Sequence, residues 1–212
     1  MVRVPIAREG WGFILVPTAV AGLLGAVGWW EAAIAFAAAA LLAAGFFRDP
    51  DRFPPKLPGA LLAPADGKVM AVQDLEDPYV GEAVRVSIFL SPLDVHVNRS
   101  PMAGLVTDVE YRQGRFLAAY RPRASEVNER CTVALQGEAA RVTVRQVAGV
   151  LARRIVCRAR PGDKLEAGER FGMIRFGSRT DLTMPRETVL RVKPGDRVRG
   201  RRIRDRTASM RR

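Results

Sequence analysis

Near its start the chain carries a long apolar run, then passes through a proline-rich stretch and alternates between apolar and polar positions. From Gly10 to Phe47 it reads "GWGFILVPTAVAGLLGAVGWWEAAIAFAAAALLAAGFF", with one charged residue, Glu31. A membrane-spanning helix needs about 20 apolar residues. The run therefore predicts two hydrophobic helices that turn near Trp29, Trp30 and Glu31. Those tryptophans suit a membrane interface. Gly22, Gly25 and Gly28 recur every three residues and predict a small-residue face on the first helix, opposite an alanine-rich second helix. Small faces let helices approach closely in lipid, and Pro17 is tolerable there. The short second segment leaves a hairpin dipping into one leaflet as an alternative to full spanning. A signal peptide and a buried core hairpin are the weaker readings, because the block is long and twice interrupted.

Prolines 50, 54, 55 and 58 in "FFRDPDRFPPKLPG" end the helical pattern. Beyond them come short valine-rich runs: "KVMAV", "AVRVSIFL", "GLVTDVEY", "CTVAL" and "ARVTVRQVAG". Their partial alternation predicts strands. "AGVLARRIVCRAR" fits a strand or a short helix. The expected organisation is a helical hairpin over 1–47, a linker over 48–60 and a mainly β domain over 61–212. A weak repeat sharpens the picture. "RPGDKLEAGERFG" starts at Arg160 and "KPGDRVRGRRIR" at Lys193, each with a Pro-Gly-Asp turn signal. Two such units predict a barrel-sandwich-like domain with related halves, as in biotinyl and lipoyl carrier domains. Lys164 and Lys193 lack the methionine that usually flanks a carrier lysine.

The net charge of +12 favours an anionic partner. The basic residues are dispersed and no nucleic-acid motif is present, so nucleic acid is not the expected partner. Next to a hydrophobic hairpin, the surplus reads as attraction to an anionic membrane surface. The tail "RVRGRRIRDRTASMRR" adds eight arginines against one aspartate. Arg3 and Arg8 before the hairpin, and Arg48, Arg52 and Lys56 after it, place both ends on the cytoplasmic side. The expected location is the cell membrane, with the β domain facing the cytoplasm. Cys131 and Cys157 lack metal-ligand spacing and read as buried thiols or a single disulfide. With one histidine, His96, a multi-histidine metal site within one chain is excluded and no metal is expected.

Three places can carry chemistry. "LLAPADGKVM" holds Asp66 in a turn. "IFLSPLDVHVNRSP" holds His96, with Asp94, His96 and Asn98 expected on one face of an extended segment. "GMIRFGSRTDL" holds Ser178 after Gly177. An acid, a base and a hydroxyl make a Ser–His–Asp inventory. A membrane-anchored serine hydrolase using Asp66, His96 and Ser178 is therefore one reading, although Gly-x-Ser-x-Gly is absent.

The stretches "FFRDPDR", "PADGKV", "FLSPLDVHVNRSP", "SEVNERC", "QVAGVLARRIVC" and "MIRFGSR", in this order, carry a stronger resemblance. Taken together, the chain resembles the short, type A-like form of phosphatidylserine decarboxylase, a pyruvoyl-dependent family of phospholipid synthesis. The resemblance implies that the Gly177-Ser178 bond is cut by the chain itself. Ser178 Oγ attacks the Gly177 carbonyl, an ester replaces the amide, and elimination with loss of ammonia leaves a covalent pyruvoyl group. The products are a β chain of residues 1–177 and an α chain of 178–212 that stay associated, with homo-oligomers left open. The pyruvoyl ketone then forms a Schiff base with phosphatidylserine and accepts the electrons released with CO₂, giving phosphatidylethanolamine. The resemblance also implies roles for Asp66 and a histidine in self-cleavage, and for His96 in decarboxylation. One departure stands out: Arg99 occupies the position of a second histidine in the longer bacterial enzymes, and arginine is a poor base.

Overall fold

The computed structural model describes residues 5–52, 59–121, 123–150, 154–175, 178–199 and 202–203, the last two by backbone alone. Gly177 and the arginine tail beyond residue 203 lie outside the described residues. The chain divides into two compact units, Met1–Asp51 and Arg52–Arg212.

The first unit is a helical hairpin. A 3-10 turn, Arg8–Gly10, leads into α1, Trp11–Ala26, and α2 follows over Trp30–Phe46. Arg8–Ala26 is long and apolar enough to cross a membrane by length and composition, and only 6% of its apolar window is buried. α2 is apolar but shorter. Gly28 corrects the small-face expectation. It sits between the helices with φ +83°, a left-handed value that glycine adopts without a Cβ clash. The turn therefore falls at Gly28, just before the tryptophans. At the open end Ala7 N donates to Phe47 O (2.8 Å) and Asp49 N to Pro5 O (2.7 Å). Phe13 stacks on Phe47 with centroids 5.3 Å apart. A Cβ on Gly10 would lie 2.4 Å from Phe47 Cβ, so only glycine fits there.

The second unit is mainly β, as the alternation predicts. Its large sheet holds β1 (Gly67–Asp77), β2 (Gly81–Leu90), β4 (Gly104–Arg112), β5 (Arg130–Gln136), β6 (Arg141–Val147), β8 (Lys164–Leu165), β10 (Ser178–Pro185), β11 (Arg197–Arg199) and β12 (Arg202–Ile203). A small sheet holds β3 (Val97–Arg99), β7 (Ile155–Cys157) and β9 (Arg170–Ile174). The large sheet runs β12-β11-β1-β2-β10-β6-β5-β4-β8 and the small one β3-β9-β7, all pairs antiparallel. The ambiguous "RRIVCR" segment resolves as β7. A single helical turn, α3 (Ala124–Val127), interrupts the β pattern.

The sequence repeat is a structural repeat. Val69 N donates to Asp196 O, and Gly195 N to Val69 O, both at 2.8 Å. Val106 N and O make the same pair of bonds with Asp163 and Gly162. In each turn the aspartate carboxylate accepts a backbone N–H from three residues earlier, Arg160 at 2.8 Å and Lys193 at 3.0 Å. Half-sheets β11-β1-β2-β10 and β8-β4-β5-β6 thus correspond and meet at the β10–β6 pair. Their pairing registers place Ala103 where the other half has Asp66, and Ala140 where it has Ser178. Only one half carries the candidate residues Asp66 and Ser178. The concave face is apolar, with Val84, Val86, Ile88 and Leu90 of β2 facing Val133, Leu135, Val142 and Val144 of the other half in one buried cluster.

Candidate functional site

Register puts the candidate residues Asp66 and Ser178 at one end of the large sheet. Lys68, Phe89, Arg179 and Val147 form a line across β1, β2, β10 and β6. One step further along lie Gly67, Leu90 and Ser178. Strands are about 4.8 Å apart, so the start of β1, where Asp66 stands, is roughly 10 Å from Ser178 across β2.

Ser178 is the first residue of β10 and is fully buried. It shares the concave face with Thr180, Leu182 and Met184, and pairs with Leu90. Its Oγ has no hydrogen-bond partner among the described residues. Leaving a buried hydroxyl unsatisfied costs about 1–3 kcal/mol, and such groups in native structures call for an explanation in strain or chemistry.

His96 is also fully buried. The chain reaches it through a tight turn in which Asp94 Oδ2 accepts from Ser91 N (2.9 Å) and Ser91 Oγ (2.7 Å). Asp94 therefore closes a turn and does not share a strand face with His96 and Asn98, because the side chain of Ser91 engages it first. Asp94 O lies 2.9 Å from His96 Nδ1. A carbonyl can only accept, so Nδ1 is the donor in this contact, which leaves Nε2 as the second ring nitrogen. His96 O accepts from Ile174 N at 3.2 Å, at the end of β9, four residues before Ser178.

A buried polar chain joins these elements. Asn98 Nδ2 donates to Thr180 Oγ1 at 3.0 Å, and Gln146 Nε2 donates to Asn98 Oδ1 at 2.8 Å. All three residues are fully buried. Asn98 is two residues from His96, and Thr180 is two residues from Ser178 on the same face. This link holds the His96 segment against the strand that begins at Ser178. Gly172 makes room for it, since a Cβ there would lie 2.9 Å from Gln146 Nε2 and 2.4 Å from Val156 O.

Asp66 is buried and accepts from Arg52 Nη2 at 2.7 Å. Arg99 is buried, donates to Gly168 O at 3.2 Å and follows a register shift after Asn98. It braces the β8–β9 turn. On the convex face beside Ser178, Arg179 Nε meets Asp181 Oδ1 and its Nη2 meets Ser87 Oγ, both at 2.6 Å. Ser125 Oγ donates to the other Asp181 oxygen at 2.7 Å. Asn128 Nδ2 donates to Leu117 O and Ala148 O at 2.7 Å, pinning the covering loop. The "SEVNERC" stretch thus seals the back of the site.

Cys131 and Cys157 are both free thiols. The Cys131 thiol is pushed up, first by its hydrogen bond to Cys157 and then by burial, and the same bond holds Cys157 down.

The sequence singles out Asp66, His96 and Ser178 as candidates; the structure adds Thr180 and Gln146, which link the His96 segment to β10, and Arg52, which pairs with Asp66. A signal existed for Thr180 and Gln146. Gln146 continues the inward series Val142, Val144, and Thr180 precedes the inward Leu182 and Met184. A polar residue at an inward position of an alternating strand marks a buried polar contact. Nothing local distinguishes Arg52 from the other linker arginines.

The phosphatidylserine decarboxylase family profile matches residues 39–203. A phosphatidylserine decarboxylase proenzyme of Symbiobacterium thermophilum is 50% identical over 201 residues, covering 93% of each chain. One from Nitrosomonas europaea is 47% identical over 195 residues, covering 91% of this chain and 90% of its own. One from Burkholderia ambifaria is 44% identical over 195 residues, covering 91% of each. With a profile match over most of its length and relatives this similar end to end, the chain belongs to the phosphatidylserine decarboxylase family of carboxy-lyases.

Proposed function

We propose that this chain converts phosphatidylserine to phosphatidylethanolamine and CO₂, using a pyruvoyl group that it makes from its own Ser178. The observation that carries this reading is the buried Ser178 Oγ, with no hydrogen-bond partner among the described residues, at the head of β10. A hydroxyl kept dry and uncommitted fits a nucleophile for the adjoining Gly177 carbonyl, and so fits a precursor of the pyruvoyl group. The relatives' designation as proenzymes agrees with a chain that matures by cleavage.

The protein's own groups have defined tasks. His96, through Nε2, takes the Ser178 hydroxyl proton as Oγ attacks, and returns a proton to the departing amine. The ester that results joins Gly177 to Ser178 Oγ. Loss of the Ser178 α-proton to a base then expels the Gly177 carboxylate and separates residues 1–177 from 178–212, and the dehydroalanine left at position 178 takes up water and releases ammonia to become the ketone. Asp66 sits at the same sheet end and orients the positive charge that develops on the imidazole. The concave face excludes water through Leu90 and Ile88. Once formed, the pyruvoyl ketone supplies an electron sink for the carbon left by CO₂. His96 remains as the proton donor to that carbon.

The hairpin of residues 1–47 anchors the enzyme in the cell membrane, followed by a linker over 48–60 and a catalytic domain over 61–212 on the cytoplasmic face. The exposed apolar helix surfaces support this: Leu15, Val16, Leu23, Ile34, Leu41 and Leu42 are each more than half exposed. Lipid is the environment that covers such a surface. The test is release of labelled CO₂ from phosphatidylserine vesicles and its loss after treatment with a carbonyl reagent such as phenylhydrazine. Release that survives the reagent contradicts the pyruvoyl reading.

A further inference from the structure

We infer that Arg52 is a positioning residue for self-cleavage, acting through the carboxylate of Asp66. The inference rests on the role proposed for Asp66 and extends it to the segment that leaves the hydrophobic hairpin.

The contact is direct. Arg52 Nη2 lies 2.7 Å from Asp66 Oδ2, and the two side chains are only 16% and 12% exposed. Exposed arginine pairs contribute little, because solvent screens them and their side chains are mobile. This pair is largely withdrawn from water, where a charge-assisted hydrogen bond is stronger and fixes geometry. It joins two residues that stand 14 positions apart in the sequence. Gly67 follows Asp66 at the head of β1. Gly67 is itself forced, because a Cβ there would lie 2.2 Å from Phe89 O. The carboxylate at the head of β1 is thus aimed by a cation from the linker.

This gives the linker a function besides spacing. Arg52 stands five residues beyond Phe47, the end of the apolar run. Bringing Arg52 to Asp66 requires the chain to have left the hairpin and docked on the β domain. Self-cleavage is thereby made dependent on Arg52 reaching Asp66, while the reacting atoms stay on Ser178 and Gly177.

The experiment follows cleavage of the full-length chain with time by denaturing gel and intact mass. Arg52→Ala is expected to slow cleavage by about 10- to 100-fold, the scale of loss when a catalytic group is misplaced by about 1 Å. Arg52→Lys, which keeps the charge, recovers most of the rate, and millimolar guanidinium speeds the Arg52→Ala protein without affecting the wild type. Since Arg52 acts through Asp66, the Arg52→Ala/Asp66→Asn double variant cleaves no more slowly than Asp66→Asn alone. Wild-type cleavage by Arg52→Ala overturns the inference and leaves the self-cleavage reading intact. So does a double variant in which the two losses multiply, or a slow Arg52→Ala protein that neither lysine nor guanidinium rescues. A wild-type chain that never cleaves overturns the self-cleavage reading and this inference with it.

Discussion

At the residue scale, Ser178→Ala removes the nucleophile, and the full-length chain stays whole. Ser178→Cys and Ser178→Thr keep a nucleophilic atom and cleave slowly; a gel time course distinguishes all three. His96→Ala is expected to lower decarboxylation on the order of 10²-fold or more, the usual loss of a general acid–base group. If a processed His96→Ala enzyme decarboxylates normally, His96 serves maturation or structure only. Between the thiols, Cys157 is the one held down and only partly buried. It is expected to alkylate before Cys131, because the thiolate is the reactive form; peptide mapping after limited iodoacetamide treatment checks this order. The three candidate residues stand out in sequence because each sits in a turn-rich polar stretch between apolar strands. The Asn98–Thr180–Gln146 link does not, since its members lie up to 82 positions apart and meet only when two sheets face each other. Arg99 was legible as a poor base. Its actual task, bracing Gly168, depends on a tertiary contact that no local pattern encodes.

At the scale of elements, β10 does two jobs with its two faces. The concave face presents Ser178 and Thr180, and the convex face carries Arg179 and Asp181, whose side chains are 4% and 1% exposed. Removing one member of a buried ion pair leaves an uncompensated charge and costs about 3–5 kcal/mol. Asp181→Ala is therefore expected to destabilise the fold by about that amount, measured by denaturant unfolding of the uncleavable Ser178→Ala chain. A change below about 1 kcal/mol would show that solvent reaches Arg179. The Pro-Gly-Asp repeats were readable because turn chemistry is local: proline, then glycine at φ +94° and +98°, then an aspartate that caps its own turn. The strand order was not readable, because β10 inserts between β2 and β6, which lie far from it in sequence. The hairpin was legible from its apolar length. Gly28 was misplaced because a three-residue glycine period looks the same whether the last glycine ends a helix or turns the chain.

At the scale of the whole molecule, an apolar N-terminal helical hairpin, a net charge of +12 and membership of the phosphatidylserine decarboxylase family fit the proposed enzyme acting at a bilayer. On the function proposed above, the substrate's acyl chains stay in lipid while its amine and carboxylate reach Ser178. Replacing the arginines from Arg197 to Arg212 with glutamine is expected to weaken binding of the full-length chain to anionic vesicles and to reduce the salt sensitivity of that binding, since screening acts on surface charge. Unchanged binding and salt response would leave the hairpin as the sole anchor. The central claim is that the protein makes its catalytic group by cutting its own chain at Ser178. Intact mass spectrometry of purified, active protein tests it most directly. With 23.3 kDa spread over 212 residues, a 178–212 fragment weighs about 4 kDa. The account predicts that fragment, blocked at its amino terminus by a ketone in place of the amine, together with a 1–177 partner. Active protein of a single full-length mass, or a small fragment with a free serine amine, would contradict it.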